Sequence, residues 1–115
     1  MFNMCENLQV APALPATTLA QGCYDSMFYE CAALTTSPVL SATILSDFCY
    51  NSMFNECESL SHITMLATDI SADDCLNEWV NGVAAAGTFV KAASMTSLPT
   101  GTSGIPSDWT VQNAT

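Results

Sequence analysis

The six cysteines are the residues whose chemistry most needs an explanation, and their spacing supplies it. They fall in two columns, Cys5, Cys31 and Cys57, and Cys23, Cys49 and Cys75, each member 26 residues from the next. Zinc requires about four thiolate or imidazole ligands converging on one point. Here there is no CxxC pair, His62 is the only histidine, and a column spreads its members along an axis. A disulfide between stacked neighbours is compatible with a Cα separation of about 5 Å, but three members leave one unpaired. Buried free thiols acting as small apolar spacers are the expectation, with a disulfide and a metal as the rivals. No metal ligand set and no cofactor are expected.

The other reactive side chains are similarly dispersed. His62 shares a column with Val10 and Thr36 and has no nucleophile partner in the pattern, which reads as a surface residue. Asp69, Asp73 and Asp74 cluster near the start of a stretch read below as a helix, where the helix dipole favours negative charge; calcium coordination is the rival, without the EF-hand spacing. Glu30 and Glu56 share a column, as do Asp47 and Asp73, and read as a solvated face. There is no Gly-rich phosphate loop, no Ser-His-Asp arrangement and no carboxylate pair spaced for acid and base work, so the chain is not expected to be an enzyme and has no catalytic residue to assign.

Charge narrows the partners. One basic residue, Lys91, stands against eleven acidic ones, for a net charge of -10. Such a chain is repelled by phosphate backbones and by anionic membrane surfaces, so no nucleic acid partner is expected. No run of 18 apolar residues occurs, so no membrane insertion is expected, and no basic segment followed by an apolar run marks a signal peptide.

The cysteine columns belong to a larger repeat. Met1–Leu8 reads MFNMCENL, Met27–Leu34 reads MFYECAAL and Met53–Leu60 reads MFNECESL. Residues 1–26 and 27–52 share 12 of 26 positions, and 27–52 and 53–78 share 10. The invariant columns are apolar or thiol, whereas columns such as Asn3, Tyr29 and Asn55 vary, as expected of water-facing positions. The predicted core is Met27, Phe28, Cys31, Leu34, Leu40, Cys49, Met53, Phe54, Cys57, Leu60, Leu66 and Cys75. A period of this length means one supersecondary unit stacked on copies of itself, because a single unit cannot bury its apolar face.

Within a unit, Leu45, Cys49, Tyr50, Met53 and Phe54 recur at i, i+4, i+5, i+8 and i+9, which predicts a helix from about Thr43 to Asn55, with counterparts near Thr17–Tyr29 and Ser71–Asn81. The following segments LQVAPAL, LTTSPVL and LSHITML read as strands of three to five residues, limited by Pro12 and Pro38. One strand and one helix per unit predicts an α/β leucine-rich-repeat solenoid, with short parallel strands on one side, helices on the other, and a C-terminal cap. Repeats would occupy residues 1–82, in units 1–26, 27–52 and 53–78 with a partial unit at the end, and the cap residues 83–115. In the cap, Thr88–Ala92 and Trp109–Gln112 are strand candidates, and Phe89, Val90, Trp109 and Val111 its apolar contacts.

The pattern MFxxCxxLTTxPxLxATxLxxxCYxS resembles the repeats of bacterial BspA-like leucine-rich-repeat proteins, many of them surface proteins, over residues 1 to about 78. The resemblance implies a location at the cell surface or outside the cell, and a non-catalytic recognition module that binds a protein or glycan through the solenoid face. Gln9, Thr35, Ser61 and His62 are the variable strand-side positions that would line that face. The alternative is a structural spacer or assembly element of a longer fibre or phage tail-like protein. Because Met1 and Phe2 coincide with the repeat's own Met-Phe, a fragment of a longer repeat protein is expected, with a possible homodimer through the uncapped N-terminal end.

Overall fold

A computed structural model describes residues 8, 21–22, 24–96 and 98–114, and the unit at 1–26, including Gln9, Cys5, Cys23 and the proposed dimerising end, lies largely outside them. Four short strands, β1 (Thr36–Leu40), β2 (His62–Met65), β3 (Thr88–Lys91) and β4 (Thr110–Asn113), form one parallel sheet in chain order. The last two, which fall in the segment expected to cap the array, continue the ladder in register.

The described residues contain no helix, which corrects the α/β architecture expected from the sequence. The stretches predicted helical at 43–55 and 71–81, and the described part of 17–29, are ribbons of consecutive turns. Their backbone hydrogen bonds alternate. Odd-numbered N–H groups donate three residues back, Asn51 to Phe48 and Met53 to Tyr50, while even-numbered ones donate to the next coil, Tyr50 to Cys75 and Phe54 to Trp79. Every fourth residue takes a left-handed conformation in register across coils, as in Ser26, Ser52 and Glu78 at φ 55, 52 and 50°. Half the N–H groups are thereby satisfied by the neighbouring coil, as in a sheet, which an α-helix, with its bonds all internal, cannot offer. The apolar spacing agrees with this ribbon better than with a helix. Leu45, Cys49, Met53 and Cys57 repeat every four residues, and over that span 3.6 residues per turn would rotate the last about 120° from the first.

Sheet and turn ribbon enclose one core. Phe28 stacks on Phe54 at 5.7 Å and 4°, and Tyr24 on Tyr50 at 6.1 Å and 10°. Trp79, in the column of Met27 and Met53, reaches both ladders, 5.8 Å from Phe54 and 6.0 Å from Tyr50, and meets Phe89 edge-on. Of the predicted core, Met27, Phe28, Cys31, Leu34, Leu40, Cys49, Met53, Phe54, Cys57, Leu60 and Cys75 are buried. Leu66 is only half-buried, and the cause is a register slip. Thr36 pairs with His62, but after an irregularity at Ser37 and Pro38, Leu40 pairs with Met65. Pro38 has no N–H for the ladder, and the Thr64 N–H donates to the Ser37 hydroxyl at 3.1 Å. Met65 therefore takes Leu40's core place and Leu66 falls level with Ser41. Phe89 and Trp109 are buried as expected of the last coils, whereas Val90 is half-buried and Val111 is exposed.

Candidate functional site

Alternation along the strands sorts the sheet into two faces. Ile63, Met65 and Phe89 point into the core, so His62, Thr64, Thr88 and Val90 point away from it. Pairing extends these into two straight outward rows, Thr36, His62, Thr88 and Thr110, and Val39, Thr64, Val90 and Gln112. Neighbours in a row stand about 4.8 Å apart, the spacing of hydrogen-bonded strands. The rows hold four threonines, two valines, one histidine and one glutamine, with no carboxylate, ammonium, Phe, Tyr or Trp among them.

Of the residues predicted to line this face, His62 lies in the first row, half-buried, with its Nδ1 buried and without a hydrogen-bond partner. Thr35 and Ser61 are exposed but sit one residue before the strands, joined by the Ser61 N–H to the Thr35 carbonyl at 3.1 Å. They border the rows without belonging to them, and Gln9 lies outside the described residues. Thr36, Thr88 and Thr110 were missed as a row. The available signal was the alternation Thr88-Phe89-Val90, one large apolar residue between two smaller ones.

Most of the described acidic residues lie away from this face. Asp25, Glu30, Asp47, Glu56, Asp73, Asp74 and Glu78 all lie in the turn ribbon. Amides stitch that ribbon between coils, Asn51 Nδ2 donating to Asp25 Oδ1 at 3.3 Å and Asn77 Nδ2 to Asn51 Oδ1 at 3.1 Å. Asp69, expected to cap a helix, instead accepts from the Ser71 hydroxyl at 2.6 Å and the Ser71 N–H at 3.0 Å. Those two bonds, the hydroxyl's first, hold its carboxyl below the ordinary range. Lys91 Nζ donates to Asn113 Oδ1 at 2.8 Å, across to the last strand.

Cys31, Cys49, Cys57 and Cys75 are buried. The Cys57 thiol donates to the Phe28 carbonyl of the preceding coil at 2.9 Å, and burial pushes its pKa up to about 12. Burial likewise raises the Cys75 thiol. Both are poor nucleophiles and poor metal ligands, since each role needs the thiolate. Among the described residues no three His, Cys, Asp or Glu side chains are grouped to hold a metal ion, and no helix is long and apolar enough to cross a membrane. Two shallow depressions flank the last turn ribbon, about 310 Å³ beside Ile70, Cys75 and Pro99 and about 220 Å³ beside Val80, Val83 and Pro106.

Searches against protein-family models, curated proteins and solved structures found no match to this chain. The likeness to BspA-like repeats therefore rests on the sequence motif.

Proposed function

We propose that this chain is a non-catalytic recognition module that binds a partner on the outward face of its sheet. The observation that carries the reading is the pair of straight, uncharged rows across four strands. Solenoid-like stacks suit recognition because the core repeats while exposed positions vary, and these rows are flat, half methyl and half hydroxyl in character. A protein partner is favoured over a glycan, since no Phe, Tyr or Trp ring is present in the rows on which a sugar would stack. The motif's resemblance to bacterial surface repeats supports a setting at the cell surface.

An array carrying extracellular matrix proteins, mucins and isolated glycans tests this, probed with the chain and with a Thr36→Lys/Thr88→Lys/Thr110→Lys variant. Outward positions tolerate lysine without disturbing the core. The expected result is binding to protein spots that the variant loses while its melting temperature is kept. Equal binding by the variant would refute the assignment of the face.

A further inference from the structure

The geometry points to a second interaction surface, on the turn side of the coil that follows β1, which receives a partner peptide carrying lysine or arginine beside an aliphatic or aromatic residue. Its centre is an exception to the repeat. Ile44 is 62% exposed and Phe48 36%, two of the four large apolar side chains exposed among the described residues, and they lie four residues apart in one coil. The described places that pair with them are polar or bare, although Ile70 follows Ile44 by 26 residues. Ile44 bridges to Asp69, and Phe48 occupies the left-handed position that Gly22 and Asp74 fill in its neighbours. Glycine and aspartate are residue types that adopt that conformation readily, and phenylalanine is not. Packing does not explain Ile44, most of which lies in water, and it leaves about a third of Phe48 exposed.

The surroundings specify the occupant. Asp47 lies beside Phe48 in the chain and its Oδ1 accepts the Asp73 N–H at 3.0 Å, while Phe48 itself donates to the Asp73 carbonyl at 3.0 Å. Asp69, Asp73 and Asp74 therefore stand on the coil next to the apolar pair, and Asp47 between its members. These carboxylates are not grouped as a chelate, so they present separate acceptors around an apolar centre. An arrangement of this kind attracts cationic side chains over a distance and gives them both carboxylates and an aromatic face at contact. A second copy of the chain cannot supply the cations. Its only basic residue is Lys91, engaged with Asn113, and two copies at -10 repel. An extended segment of a basic partner protein meets both requirements.

The test uses the full chain, immobilised, and a random 12-residue peptide library displayed on phage. Enriched peptides are expected to pair Lys or Arg with an apolar residue, and a synthetic copy to bind Ile44→Ser at least tenfold more weakly, the loss typical of an interface anchor. Ile44 is exposed enough for serine to leave the fold intact. Asp47→Asn/Asp73→Asn/Asp74→Asn keeps an acceptor at Asp47 and a tolerated residue at position 74, and is expected to weaken binding and flatten its salt dependence. The proposal is overturned if no peptide is enriched, if enriched peptides lack cations, or if Ile44→Ser and the triple variant both bind within threefold of wild type. The lysine variant of the sheet face, described above, is expected to bind these peptides unchanged, which separates this surface from that one.

Discussion

Trp79 offers the sharpest test of how the stack is held together, because Trp79→Met restores the residue found at the same place in the two preceding units. By repeat logic the change should be harmless; by the geometry it is costly. Trp79 is fully buried and touches both aromatic ladders as well as Phe89. Its Nε1–H donates to the Gly104 carbonyl at 2.9 Å, fastening the turn ribbon to the segment before β4. Truncating a buried tryptophan to alanine costs about 3–5 kcal/mol, and a buried methionine restores about 1.5–3 kcal/mol of that. The net packing loss is thus about 2 kcal/mol. The Gly104 carbonyl, left without its donor, adds about 1–2 kcal/mol. The sum is about 3–4 kcal/mol, or a melting temperature lowered by about 12–16 °C for a domain of this size. Thermal unfolding followed by far-ultraviolet circular dichroism, with Trp79→Phe as the variant that keeps a ring and loses the N–H, separates the two contributions. A Trp79→Met protein melting within about 3 °C of wild type would show that the ring contacts and the Gly104 bond do not fasten the last coils.

Two further outcomes follow from close approaches and burial. Gly87→Ala would place a Cβ 2.4 Å from the Ser61 carbonyl oxygen and 2.9 Å from Trp109 Cε2, both on fixed groups, so a loss of about 2 kcal/mol is expected in urea unfolding; an unchanged midpoint would mean that β3 shifts freely. Cys57 keeps its proton in the folded state up to a pKa of about 12, against an ordinary value of 9.0. Between those values the unfolded chain has lost a proton that the folded chain retains, so this thiol's contribution is complete below pH 9 and is lost as pH rises toward 12. Cys57→Ala should flatten the stability profile over that window, and native protein at pH 8 should resist iodoacetamide at Cys57, with alkylation appearing only on unfolding. Rapid native alkylation there would contradict the burial.

The candidate faces were legible only in part. His62 could be placed level with Thr36 from the repeat alone, since a 26-residue offset maps one onto the other and the two strands pair there. Thr35 and Ser61 were assigned to the face although they precede the strands, because strand ends in a four- or five-residue element carry too little pattern to locate within one residue. The misplacement of Leu66 has a specific cause in Pro38. Its bulge moves β1 by one residue against β2, and a fixed 26-residue offset cannot register that slip, which is made good by the point where the Asp73 N–H meets Asp47 Oδ1. Nothing in the repeat singles out Ile44 and Phe48, and only their position on the ribbon shows them facing water.

What the sequence by itself determined is the stacking. Identical residue types at 26-residue intervals bury only against their own copies, so Phe28 on Phe54 and Cys31 beside Cys57 follow from spacing and hydrophobicity. What only the tertiary structure decided is the backbone between the strands. Leu45, Cys49, Tyr50, Met53 and Phe54 fall on one side of either a helix or a ribbon of turns, and the four-residue spacing of Leu45, Cys49, Met53 and Cys57 only leans toward the ribbon. The choice is made by hydrogen bonds such as Tyr50 N–H to the Cys75 carbonyl and Phe54 N–H to the Trp79 carbonyl, whose partners exist only once the next coil is in place. A helix would satisfy the same N–H groups within one unit but leave the coils joined by side chains alone on that side of the stack, whereas the turn ribbon adds backbone pairing there to that of the sheet.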